Sequence, residues 1–287
     1  MRAFLFPGQG SQSVGMGKAL ADASAVAREV FQEVDEALGQ SLYKLMTEGP
    51  EDQLTLTENA QPAIMANAIA TLRVAEKEGG IRLAEKADFV AGHSLGEYTA
   101  LTATGALGFD DGVRLVVERA EAMHEAGQNN PGTMSAILGL DDELVEVACR
   151  RADSDVWVAN FNAPGQIVIA GSAEGVAKAV VIAKELGAKK AMALPVSGAF
   201  HTPFMIPARD RLREAIASAN PRDTEVPVIS NVDAIAHNYG NEWASLLSAQ
   251  LSSPVRWKQC LLTLNDLGVT GFAELGPGGV LTGMAKR

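Results

Sequence analysis

The sequence predicts an α/β protein: a larger unit built on a mainly parallel sheet, with a smaller unit set into it. Two observations carry this. Short apolar runs of strand length alternate with helical patterns for most of the chain, the order that arises when helices cross between parallel strands. From about residue 132 to residue 197 the order changes to strand, helix, strand, strand, helix, strand, which closes a small core of its own. The larger unit is expected over residues 1–130 and 198–287, and the smaller over 131–197.

In chain order, Ala3-Phe4-Leu5-Phe6 reads as the first strand and ends in the turn Pro7-Gly8-Gln9-Gly10-Ser11-Gln12. Helical spacing of apolar residues follows over 23–38 and, after Pro62, over 63–77. Asp88-Phe89-Val90-Ala91 is a short strand that runs into Gly92-His93-Ser94-Leu95-Gly96. A helix is expected from about Glu97 and another over 110–126. In the smaller unit, strand 133–138 precedes helix 141–151, and strands 156–160 and 166–170 flank the turn Ala163-Pro164-Gly165. Helix 173–186 and strand 190–196 complete the βαββαβ order of the split βαβ, or ferredoxin-like, arrangement. Helices 207–219 and 255–267 and strands 226–230 and 271–274 return the chain to the larger unit.

Composition narrows the function. With 47% hydrophobic and 21% charged residues the chain has the make-up of a folded globular protein. A net charge of −11 with no basic stripe argues against nucleic acid as a partner. Cys149 and Cys260 lie far apart without metal-ligand spacing, so two inert thiols in a reducing compartment are expected, and no metal site. The apolar run at the N-terminus is too short for a signal-peptide core, and no run approaches the ~20 residues that span a bilayer. A cytoplasmic protein is expected, and nothing in the sequence demands more than a monomer.

The richest segment is Gly92-His93-Ser94-Leu95-Gly96, which fits G-x-S-x-G between an apolar strand and a helical pattern. A sharp strand-to-helix turn pushes the serine hydroxyl above the sheet, and small residues two positions to either side let strand and helix approach. The same turn aims the amide of the next residue, Leu95, at a developing oxyanion. A serine is a poor nucleophile without a base. Four histidines are available. His237 reads as a solvated loop residue, His124 as a helix-surface residue, and His93 as a pocket wall. His201 follows a strand in Val196-Ser197-Gly198-Ala199-Phe200-His201-Thr202-Pro203, where α/β enzymes present catalytic groups. Spacing alone does not decide between His201 and the other three, and no third acid stands out.

Several motifs together resemble one family. Gly92-His93-Ser94-Leu95-Gly96-Glu97-Tyr98 is similar to the elbow of malonyl-CoA:acyl-carrier-protein transacylases and of the acyltransferase domains of fatty acid and polyketide synthases. Phe6-Pro7-Gly8-Gln9-Gly10-Ser11-Gln12 resembles that family's opening loop. Glu58-Asn59-Ala60-Gln61-Pro62-Ala63, Asn162-Ala163-Pro164-Gly165-Gln166, Phe200-His201-Thr202-Pro203-Phe204-Met205 and Glu274-Leu275-Gly276-Pro277-Gly278 follow in family order. Ala120 stands where many members have glycine, and members usually continue for a short segment beyond the last motif.

The resemblance implies an α/β-hydrolase-like larger domain with the ferredoxin-like subdomain inserted. It implies a dyad in which Ser94 is the nucleophile and His201 the general base and acid. It places the backbone amides of Gln9 and Leu95 in the oxyanion hole, and Arg119 on the free carboxylate of malonate. It gives Gln250 a backbone that orients the histidine where a hydrolase would use an aspartate. Ala199-Phe200-His201 resembles the malonyl-selective form of the motif, with Phe200 disfavouring an α-methyl group; Met123, His93 and Asn162 are expected in the acyl pocket. Arg119 and Met123, four apart, share one helix face, and a guanidinium suits a carboxylate because its planar fork gives two parallel hydrogen bonds. The competing structural role for Arg119 is a surface ion pair with Glu118 or Asp110.

The implied partners are malonyl-CoA, a coenzyme A thioester consumed as substrate, and acyl carrier protein, with no bound cofactor. An acidic carrier needs a local basic patch on a protein of this charge, and Lys189-Lys190 and Lys286-Arg287 are the densest candidates. A serine hydrolase shares the elbow and histidine. A nucleotide-binding module using the Pro7–Gln12 loop lacks both the P-loop lysine and the G-x-G-x-x-G spacing.

Overall fold

The fold is taken from a computed structural model that describes residues 1–196 and 198–287. Among the described residues nine strands form: β1 (Arg2–Phe6), β2 (Phe89–Gly92), β3 (Thr133–Leu138), β4 (Val156–Ala163), β5 (Gln166–Gly171), β6 (Lys190–Ala193), β7 (Val228–Ile229), β8 (Ala236–His237) and β9 (Gly271–Glu274). They make two sheets, ordered β8-β7-β2-β1-β9 and β4-β5-β3-β6.

In the first sheet β1 lies parallel between β2 and β9, β2 is parallel to β7, and only β8 runs antiparallel. The strands are apolar on both faces (Phe4, Leu5, Phe6, Val90 and Ala91 are all buried), as a sheet covered on two sides requires. Phe4, Phe6 and Val90 face one apolar cluster with the helices Ala25–Leu38, Thr57–Lys77 and Phe109–Asn129. Leu5 and Ala91 face another with Trp257, Cys260 and Leu264 of the helix Trp257–Asp266. Phe6 is paired with Gly92, so the Pro7–Gln12 loop and the Ser94 turn leave the sheet side by side at its carboxyl edge. Ligand sites of open α/β sheets lie outside that edge.

The second sheet is antiparallel throughout and follows the predicted βαββαβ order, with helices Asp142–Arg151 and Ala173–Glu185. Its strands alternate as their period of two requires. Ile137, Ile167 and Ile169 join those two helices in a cluster of their own, whereas Met134, Val168 and Ala170 pack into the main one. Ser197, the last residue expected in the smaller unit, lies outside the described residues. Strand β6 ends at Ala193, three residues short of the expected 196.

The helices required more correction than the strands. The helix expected over 23–38 forms over Ala25–Leu38, capped by the Ser24 hydroxyl, which accepts the Ala27 amide, and a short helix not expected, Lys18–Ala23, precedes it. The helix expected after Pro62 begins at Thr57 and carries Pro62 within it. A proline near a helix start forfeits one backward hydrogen bond, and here Ala60, Pro62, Ala63 and Ile64 are all buried in the core, which holds the turn helical. The helix Trp243–Ser252 went unpredicted because its Ser and Ala content masks its apolar spacing; it carries Gln250. Arg211, from the helix Ile206–Ser218, reaches Glu118, Glu121 and Glu125 at 2.5, 3.4 and 2.9 Å and clamps that helix to Phe109–Asn129. Among the described residues no helix is long and apolar enough to cross a membrane.

Candidate active site

Ser94 is the hinge between β2 and the helix Leu95–Ala103, with φ 53° and ψ −107°. Such a conformation costs a non-glycine residue about 1–3 kcal/mol and persists only where the surroundings impose it. They do so here. A Cβ on Gly92 would lie 1.9 Å from the backbone of Gly96, and one on Gly96 would lie 2.0 Å from the Phe6 carbonyl, so strand and helix meet at a spacing only glycine permits. The Ser94 amide donates to Asn231 Oδ1 at 2.7 Å, the Ser94 carbonyl accepts from Gln250 Nε2 at 2.9 Å, and Asn231 Nδ2 donates to the Gly92 carbonyl at 2.7 Å.

His201 is brought to this turn across 107 residues, its Nε2 lying 2.8 Å from Ser94 Oγ. Its Nδ1 is 2.8 Å from the Gln250 carbonyl. A carbonyl only accepts, so Nδ1 carries the proton and Nε2 is left to take one. Burial, followed by the nearby Arg119 charge, pushes the imidazole down to about 3, so it is neutral at neutral pH. Ser94, His201 and Gln250 have the arrangement that a nucleophile, a base and a group orienting the base require.

Arg119 is 1% exposed. Its Nη1 donates to Gln61 Oε1 at 2.6 Å, and Nη2 donates to Ser94 Oγ at 2.9 Å and Gln250 Oε1 at 3.0 Å. Its guanidinium carbon sits 5.3 Å from the Tyr98 ring centre, and Nε has no partner among the described residues. The surface ion pair considered for it does not form: Glu118 bonds Arg211, and no described carboxylate lies within ion-pair distance of Arg119. A buried cation surrounded by neutral acceptors is costly unless an opposite charge joins it, so the position suits an anion.

Ser94, His201, Arg119 and Gln61 line a cavity of about 210 Å³, together with Gln9, His93, Leu95, Met123 and Phe200. The Gln9 side chain donates to Thr57 Oγ1 at 3.2 Å, which ties down the turn whose residues Gln9, Gly10 and Gln12 line the cavity. Leu95 is the first residue of its helix, one of the amides that a helix leaves without an internal acceptor. Asn162 does not line the cavity. It partners His93 Nε2 at 2.8 Å and reaches the site only through that ring, while Asn160 of the same strand takes the lining position. Burial lowers the proton affinity of His93, which packs on Trp257 at 5.6 Å.

Sequence reasoning missed two contributors and undervalued a third. Gln61, in a quoted motif but given no role, is the Arg119 Nη1 acceptor and donates to Met123 Sδ at 3.5 Å. Asn231 has no local signal, since only the pairing of β7 with β2 carries it to the elbow. Glu97, also within a motif, is fully buried and accepts from Gln250 Nε2 at 2.5 Å and the Asn231 amide at 3.1 Å.

The remaining candidates lie apart. His124 is on the surface, 2.8 Å from Gln128. His237 is not the solvated loop residue expected: it lies in β8 between Asp233 and Glu242, each at 3.0 Å, with Trp243 against its ring at 5.8 Å. Both cysteines are buried free thiols, and burial pushes Cys149 up to about 12. Among the described residues no cluster of three or more His, Cys, Asp or Glu is placed for a metal ion. Lys190 begins β6 and Lys189 immediately precedes it; the continuation of the strand, Leu194, Pro195 and Val196, forms one wall of the cavity.

A model of the acyl transferase domain family matches residues 3–287. The malonyl CoA-acyl carrier protein transacylase of Bacillus subtilis (strain 168) is 47% identical over 99% of this chain and 89% of its own. The crystal structure of an acyl-carrier-protein S-malonyltransferase from Bartonella henselae has a TM-score of 0.96 at 44% identity, covering 100% of this chain and 91% of that one. A malonyl-transacylase in complex with its type II PKS acyl-carrier protein gives a TM-score of 0.95 at 40% identity, with 100% and 92% covered. A match of this extent shows membership, and the chain belongs to the acyl transferase domain family.

Proposed function

We propose that the chain transfers the malonyl group of malonyl-CoA to the phosphopantetheine thiol of acyl carrier protein through a malonyl-Ser94 intermediate, in fatty acid biosynthesis. The observation that carries this reading is Arg119, a buried cation without a counter-carboxylate in contact, 2.9 Å from the nucleophile's oxygen. The names of the relatives point the same way.

The geometry supplies a mechanism. His201 Nε2 accepts the Ser94 proton as Oγ attacks the thioester carbonyl, and the Leu95 and Gln9 amides hold the oxyanion. Coenzyme A leaves as the thiol with that proton, the carrier thiol enters, and the steps reverse. Exchange of one thioester for another needs no redox group or metal. Arg119 weakens His201 as a base, second to burial, and a substrate carboxylate set against the guanidinium offsets that influence. Phe200, in the cavity wall next to His201, disfavours an α-methyl branch.

The βαββαβ order and the β4-β5-β3-β6 sheet support a ferredoxin-like subdomain over 131–197. The parallel sheet with its serine elbow supports an α/β-hydrolase-like domain over 1–130 and 198–287. A cytoplasmic location follows from the proposed pathway. A serine hydrolase shares the elbow, but the group orienting the base here is the Gln250 carbonyl rather than a carboxylate. The test is to incubate the protein with malonyl-CoA, with and without carrier protein. Malonyl carrier is the expected product, with little free malonate; rapid release of malonate whether or not carrier is present would make the protein a hydrolase.

A further inference from the structure

Gln250 has a second position in the site besides orienting His201. Its carboxamide lies between the two charged side chains that are fully buried there: Oε1 accepts from Arg119 Nη2 at 3.0 Å, and Nε2 donates to Glu97 Oε2 at 2.5 Å. Opposite charges removed from water persist when they are paired, and these two are joined through one amide. The groups facing Glu97 come from several elements. Asn231, Ser230 and Asp233 follow β7, Gln250 and Cys260 come from two helices, and Tyr98 and Arg119 from two more. Arg119 is the cation among them. Asp233 is an anion, the Cys260 thiol is held protonated by burial, and His93 and His201 are kept neutral.

We propose that Glu97 is the resident counter-ion of Arg119, acting through the Gln250 carboxamide, and that a substrate carboxylate arriving on Arg119 takes over that role and drives Glu97 to bind a proton from solution. The inference rests on Arg119 as the carboxylate receptor. In the empty site Arg119 and ionised Glu97 balance each other, while Asp233 has its own partner in His237 at 3.0 Å. A second carboxylate leaves it one negative charge in excess, and the group closest to accepting a proton is Glu97, which burial already holds at about 7. An acetyl group adds no charge and gives Glu97 no reason to change.

The sign follows from linkage. A site that gains a proton on occupation is favoured at lower pH, so the KM for malonyl-CoA should rise as pH climbs above the free value, by up to about tenfold per unit, while that for acetyl-CoA stays flat. A more direct reading is the proton itself. Loading Ser94 exchanges an O–H for the S–H of coenzyme A and releases or consumes no net proton. Mixing stoichiometric protein and malonyl-CoA in a weakly buffered indicator solution at about pH 7.5 should therefore show uptake of roughly 0.5–1 proton per malonyl adduct, the adduct being counted by intact mass. Acetyl-CoA should give adduct without uptake, and Glu97→Gln should load malonyl without uptake. Malonyl adduct on the native protein with no uptake, or equal uptake in Glu97→Gln, overturns the proposal. Should Glu97→Gln not fold, the native malonyl and acetyl comparison and the two KM profiles decide alone. If no malonyl adduct forms on the native protein, it is the transfer function that fails, and this inference falls with it.

Discussion

Arg119 shows most clearly how a residue's surroundings set its chemistry. Its three hydrogen-bond partners are all neutral, and desolvation lowers its hold on the proton. On the proposed reading a substrate carboxylate relieves that cost, whereas an acetyl group leaves it in place. Replacing Arg119 with alanine strands the substrate charge instead and should lower kcat/KM for malonyl-CoA by roughly 3–5 kcal/mol, on the order of 10²–10³-fold or more. Acetyl transfer should change little, since His201 is at the same time freed of a neighbouring cation. Arg119→Lys should recover part of the loss, because an ammonium lacks the planar fork. Steady-state rates with both substrates check this, and an equal fall for both would make Arg119 structural. At this scale Ser94 was legible because the turn that presents it demands glycines at fixed offsets. His201 needed the family's motifs, since four histidines offered no decisive spacing. Gln61 and Asn231 were not read at all: a neutral amide that holds another residue leaves no pattern in sequence.

Elements were legible where local chemistry dictated them. β3 and β9 have the predicted bounds because apolar runs closed by turns leave little freedom. The helix Trp243–Ser252 was invisible, although it supplies both the carbonyl that orients His201 and the amide that braces Ser94. The segment before it shows tertiary context acting on one residue. His237, read as a solvated loop residue, is held by Asp233 and Glu242 on the edge of Trp243, and its proton affinity is raised. Burial opposes that shift and the two carboxylates outweigh it. A group whose folded pKa is raised lends stability that is full below its unfolded value, near 6.5, and fades as pH climbs through the folded one. Urea unfolding should therefore show the native protein ahead of His237→Gln by more at about pH 5.5 than at about pH 8. A gap that does not narrow with pH would mean the histidine contributes by packing alone.

For the whole molecule, the site belongs to neither sheet by itself. The carboxyl edge of the parallel sheet gives Ser94 and the Pro7–Gln12 loop, while β4 and the segment after β6 give Asn160, Leu194 and Pro195. The alternation of strands and helices made both sheets readable, but nothing in it says how the second closes over the first, which follows from side chains such as Met134 and Val168 packing into the main cluster. A chain of net charge −11 that accepts an acidic carrier must do so through local positive charge. Lys189 and Lys190 stand at the start of the strand that leads into the cavity wall. Reversing both charges should raise the KM for carrier protein and flatten its salt dependence, with loading from malonyl-CoA unchanged; unaltered carrier kinetics would clear them of the role. The central claim is that Ser94 carries the malonyl group between two thiols. The measurement that meets it most directly is intact mass after mixing the protein with malonyl-CoA. One malonyl adduct on the native chain and none on Ser94→Ala is the predicted result, and an adduct of equal yield on Ser94→Ala would contradict the account.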